Sequence, residues 1–132
     1  MAVTKSYKQL LQEASEKIDT LPVEEARILV GNADVVFVDI REPHELDREG
    51  MIPDAIHVPR GVLEFIVTPD SPYFKPVFAE DRQFVLYCQS AWRSALATAT
   101  LKELGLDRVC HIEGGFSAWK NAGGETCSKV PE

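Results

Sequence analysis

The chain has 132 residues, 45% of them hydrophobic and 27% charged, with a formal net charge of −7. That length fits one domain able to bury a core without metal or disulfide support, in a composition typical of globular proteins. The acidic balance argues against a nucleic-acid partner, which needs a basic face, but not against a small anion held by backbone N–H groups.

The N-terminal run MAVTKSYKQLLQEASEKIDT is too polar for a secretory segment, and no apolar run approaches membrane-spanning length. Residues 4 to 19 predict a helix with Tyr7, Leu10, Leu11, Ala14 and Ile18 on one stripe. Thr20 to Glu25 reads as the start of a second helix: Thr20 or a neighbour caps it, Pro22 sits in its first turn, and Glu24 and Glu25 lie near the positive end of the dipole. It should run to about Val30 and stop at Gly31-Asn32. Val35 to Asp39 is a β-branched run expected for a strand buried on both faces. Residues 41 to 50 suit a helix opened by Pro43 and closed by Gly50, Ala55 to Val58 a short strand, and Gly61 to Val67 a short helix. The proline-rich residues 68 to 81 read as an irregular loop. Phe84 to Tyr87 is a third strand. Ala95 to Leu104 is a helix with Ala97, Leu101 and Leu104 inward and Gly105 as its stop. Arg108 to Ile112 is a fourth strand, and Gly115 to Ala122 a last helix. Strands alternating with helices imply a mostly parallel sheet covered on both sides.

Ligands of such sheets bind beyond the carboxyl ends of the strands, which draws attention to Asp39, Tyr87-Cys88 and Ile112-Glu113. Cys88 directly follows an apolar strand and precedes Gln89-Ser90-Ala91-Trp92-Arg93 and a helix. A thiol there faces several N–H groups and the positive end of a helix dipole, which favours thiolate near neutral pH. The same donors can hold a substrate's oxyanions. A lone cysteine in a strand-rich chain is more often a small core residue. The strand-end position, with Arg93 five residues on, favours an activated nucleophile here. Cys88, Cys110 and Cys127 are odd in number, far apart and in no metal-ligand spacing, so no metal site is expected and a reducing, cytoplasmic setting is the simplest reading.

Three segments resemble the signatures of rhodanese domains: DIREPHELDREGMIPDAIHVP (39 to 59), YCQSAWRSALATATLKELG (87 to 105) and VCHIEGGFSAWKNAGG (109 to 124). They occur in the right order and span most of residues 21 to 124. The resemblance implies an α/β fold with a mostly parallel central sheet of four to five strands and helices on both faces. It also implies a thiosulfate sulfurtransferase without a cofactor. Cys88 would attack the outer sulfur of a donor such as thiosulfate, sulfite would leave, and the Cys88 persulfide would pass its sulfur to cyanide or a thiol. Cys88 to Arg93 match the family's six-residue cradle, so the resemblance makes Gln89, Ser90, Ala91, Trp92 and Arg93 the expected substrate-binding positions. A related phosphatase branch uses a loop one residue longer, and the shorter count favours sulfur. By the same resemblance Asp39 and Arg41 fall near the active face; there, substrate contact is one reading and an ion pair bracing the loop, such as Glu45 with Arg93, is the favoured one. Arg60 is either positive potential at the pocket mouth or an ordinary surface arginine.

The chain departs from the family at two places. Met51 stands in the string Gly50 to Ala55 where histidine is common, and is expected at a surface or interface position. Ala91 stands where many members carry glycine, which adopts positive φ at no steric cost. The bulky Trp92 is expected at the pocket rim. His44, His57 and His111 are not expected to act as bases, since the reaction needs no proton abstraction once thiolate exists. Gly114 and Gly115 are read as a tight turn, Trp119 as core and Cys110 as an inert strand residue. Cys127 in the polar tail is only a minor candidate for a resolving thiol.

The expected division is an N-terminal helical extension (1 to 20), the catalytic domain (21 to 126) and a C-terminal tail (127 to 132). The expected partners are a small anionic sulfur donor and a thiol or cyanide acceptor, with a protein donor or acceptor open; oligomeric state is not readable. The alternatives are a sulfur-carrier module with poor thiosulfate activity, a phosphatase or arsenate reductase on the same fold, and a silent domain, which the intact Cys88 disfavours.

Overall fold

The computed structural model describes residues 2–129. Its elements run α1 (Tyr7–Lys17), β1 (Asp19–Leu21), α2 (Val23–Ile28), β2 (Val35–Asp39), α3 (Pro43–Glu49), β3 (Ile56–His57), α4 (Leu63–Val67), β4 (Gln83–Tyr87), α5 (Trp92–Glu103), β5 (Val109–Ile112) and α6 (Gly115–Asn121). The five strands form one sheet in the order β1-β5-β4-β2-β3, with every pairing parallel. Central strands of such a sheet are covered on both faces, and β2, buried throughout, is accordingly apolar up to its last residue, Asp39. Val36 and Val38 enter one core layer with Leu86, Ala97 and Leu101, while Val35 and Phe37 enter the other with Tyr87, Ile112, Phe116 and Trp119.

Several expectations need correction. Asp19 to Leu21 is not a helix start but an edge strand, pairing Thr20 opposite His111 and Leu21 opposite Ile112. Backbone pairing to β5 makes a strand of three residues of which Thr20 alone favours one. The helix that follows begins at Val23, with Pro22 at its cap. The first helix spans 7 to 17 rather than 4 to 19, because the Ser6 side chain accepts from the Lys8 amide and ends the run there. Its stripe is only half used: Ala14 is buried, whereas Tyr7 and Leu10 stay exposed. α5 begins at Trp92, three residues before the expected start, and Leu104 at its end is exposed rather than inward. The proline-rich loop contains a 3-10 turn, Pro76–Ala79, that buries Phe78. Met51 is core, 3% exposed, with its backbone bridged to Cys127.

Candidate active site

The carboxyl end of β4 delivers residues 88 to 93 into the space between the starts of α5 and α6, and two features shape that loop. Ala91 caps α5 with φ +76, a left-handed conformation that alanine adopts only at a cost. On its outer side, the Phe116 amide donates to the Cys88 carbonyl at 2.8 Å and the Ser117 amide to the Gln89 carbonyl at 3.1 Å. Because peptide units are planar and trans, pulling those two carbonyls toward α6 turns the Gln89 and Ser90 N–H groups the other way. Among the described residues, no acceptor pairs with the amides of Gln89 to Arg93. Gly115 (φ +62) makes the approach feasible, since a Cβ there would lie 2.6 Å from the Cys88 carbonyl oxygen.

Cys88 Sγ lies at the floor of this loop, and the residue is 1% exposed, while Ser90 and Trp92 are exposed at the rim. The Ser94 amide donates to Sγ at 3.3 Å, and Ser94 Oγ lies 3.6 Å away. Arg93 donates from both terminal guanidinium nitrogens, Nη1 and Nη2, to the Glu45 carboxylate at 2.8 Å. The Arg93 charge is held first by that Glu45 hydrogen bond and also feels Cys88. Its hydrogen bonds in turn hold the Glu45 carboxyl down to about 2. Glu45 is itself placed by α3, where it accepts from the Glu42 amide at 2.8 Å in a capping box.

Asp39 and Arg41 lie behind the loop as a fully buried ion pair at 2.7 Å. The Arg41 guanidinium stacks 4.1 Å from the Phe116 ring centroid and donates to the Gly50 carbonyl and the Gln89 side chain. Gln89 also donates to Ser117, so its side chain is held on the α6 side of the loop. Arg60 is placed elsewhere: it pairs with Glu64 at 2.9 Å and reaches Thr100 on α5. Trp92 packs against Tyr7 of α1, with ring centroids 5.1 Å apart. Cys110 is buried, which pushes its thiol up to about 11. Among the described residues no cluster of His, Cys, Asp or Glu is placed to hold a metal, and no helix is long and apolar enough to cross a membrane.

Sequence reasoning passed over Ser94, whose signal was a small polar residue in the first turn of a buried helix. It also passed over the contact role of Gly115. The resulting bowl can hold an anion against a thiol by N–H donors and a nearby cation.

In comparison with known proteins, residues 22–122 match the family described as Rhodanese-like domain. A sulfurtransferase of Allochromatium vinosum is 38% identical over 95 residues, covering 72% of this chain and 80% of the relative. A solved structure from Rhodopseudomonas palustris, a protein of unknown function described as a possible tyrosine phosphatase, superposes with a TM-score of 0.93 at 48% identity, over 96% of this chain and 98% of the other. The polysulfide-sulfur transferase homodimer of Wolinella succinogenes superposes with a TM-score of 0.70 at 27% identity, over 94% and 88%.

Proposed function

The chain belongs to the rhodanese-like sulfurtransferase family, and on that footing we propose that Cys88 accepts sulfane sulfur from a small donor such as thiosulfate and holds it as a persulfide for a thiol or cyanide acceptor. The observation that carries this is the seat of Sγ: a six-residue loop, unpaired amides around it, the Ser94 amide at 3.3 Å and Arg93 alongside. In the first step the thiolate forms a bond to the outer sulfur of thiosulfate, and the S–S bond breaks with its electron pair leaving on sulfite. In the second, the acceptor attacks the outer persulfide sulfur and the pair returns to Cys88 Sγ. The loop amides offer hydrogen bonds to the donor's oxyanions and to the persulfide anion. The burial of Cys88, 1% exposed, favours a slim donor that offers one sulfur end-on over a bulky one. Three free cysteines fit a reducing compartment, in keeping with a cytoplasmic protein.

The test is thiocyanate production from thiosulfate and cyanide, alongside hydrolysis of p-nitrophenyl phosphate. Wild type should form thiocyanate and Cys88→Ala should form none while unfolding at the same temperature. Phosphate release that depends on Cys88, without thiocyanate, would replace this reading with the phosphatase one.

A further inference from the structure

Behind the thiol runs a chain of polar groups, buried at Ser94 and His111 and reaching the surface at Thr20, that the two transfer steps above leave without a role. Ser94 Oγ lies 3.6 Å from Cys88 Sγ and 2.9 Å from His111 Nδ1, and His111 Nε2 lies 3.1 Å from Thr20 Oγ1. The chain crosses α5, β5 and the edge strand β1, whose register sets Thr20 opposite His111. Ser94 is fully buried and His111 is 4% exposed. A buried network of this kind is expensive unless every member is paired. This one ends on the sulfur.

Burial pushes the His111 ring down to about 4, so near neutral pH it has one N–H and one lone pair. Cys88 as a thiol can donate to Ser94 Oγ, but as a thiolate it only accepts, and the single hydroxyl proton of Ser94 must then turn toward it. The competing acceptors for that proton are the Ala91 carbonyl at 3.3 Å and, in the tautomer protonated on Nε2, His111 Nδ1 at 2.9 Å. If Nδ1–H donates to Ser94 Oγ, the hydroxyl proton is free for sulfur, and Nε2 accepts from the Thr20 hydroxyl.

We propose that His111, oriented by Thr20, is a positioning residue that aims the Ser94 hydroxyl proton at the Cys88 thiolate. This rests on the reading of Cys88 as the sulfur carrier. Its effect falls where negative charge returns to Sγ as the persulfide S–S bond breaks, a step in which His111 neither gains nor loses a proton.

Two substitutions separate aiming from packing. Asparagine at 111 keeps a donor at the Nδ1 position and gives up Thr20, whereas glutamine reaches Thr20 and vacates the Nδ1 position. The readout is the iodoacetamide alkylation rate of Cys88 against pH. The charged groups nearest the loop, Arg93 with Glu45 and Arg41 with Asp39, are unchanged in all variants. His111→Gln and Ser94→Ala should move the midpoint of that curve up by about one pH unit, the size of a lost hydrogen bond to a charged group, and His111→Asn should restore it. Equal midpoints in all variants, or an asparagine variant displaced as far as the glutamine one, would overturn the proposal. A purely structural histidine would lower both melting temperatures without splitting the midpoints. Alkylation reads the thiolate whether or not sulfur is transferred. A split without sulfur loading from thiosulfate would therefore sink the sulfur reading alone, and loading without a split would sink the positioning role alone.

Discussion

At the scale of single residues, the site stores strain and charge in identifiable places. Ala91 holds φ +76 at the cap of α5, where glycine would sit without penalty. Ala91→Gly should therefore raise stability by about 0.5–1 kcal/mol, part of the relief being offset by the freer unfolded chain. Urea unfolding checks this, with a higher midpoint at unchanged slope expected; a lower midpoint would show that the left-handed alanine is unstrained. Glu45 contributes through its pH dependence. Its carboxyl, held at about 2 against an ordinary 4.5 by Arg93, binds a proton less readily folded than unfolded. The stabilisation is thus complete above about pH 4.5 and is lost as pH falls toward 2. Glu45→Gln should flatten the stability profile in that window and leave its shape above pH 5 unchanged.

Elements matter here through how closely their ends approach. The start of α6 grips the loop by two amide-to-carbonyl bonds, and only a residue without Cβ fits at 115. Gly115→Ala should cost about 2–4 kcal/mol and slow sulfur loading, because the Cys88 and Gln89 carbonyls must move. Gly123→Ala serves as the comparison: its φ is +81 but nothing lies within 4 Å, so it should lose about 1 kcal/mol of backbone strain and no activity. Equal losses in both variants would mean that the α6 contact does not shape the loop. The elements legible in the sequence were those with strong periodicity, such as β2 and β4, and those with marked ends, such as α3 between Pro43 and Gly50. β1 was not legible, because Asp19-Thr20-Leu21 becomes a strand only by pairing with β5. The loop 88–93 could be located from its strand-end position. The partners of its thiol could not, since Thr20, Ser94 and His111 meet only once β1, β5 and α5 are in place.

For the whole molecule, the strand order carries the functional logic. β4 lies at the centre of the sheet, flanked by β5 and β2, so its carboxyl end is braced from α6 on one side and from Arg41 and α3 on the other. That arrangement sets one cysteine apart from Cys110, which lies within β5, and from Cys127, bridged to Met51 far along the chain. The most direct measurement is the intact mass of the protein after incubation with thiosulfate, before and after addition of cyanide, in wild type and Cys88→Ser. The expected result is a single gain of about 32 Da, one sulfur atom, in wild type, removed by cyanide and absent from the serine variant. No gain, or the same gain in Cys88→Ser, would contradict the assignment of Cys88 as the sulfur carrier.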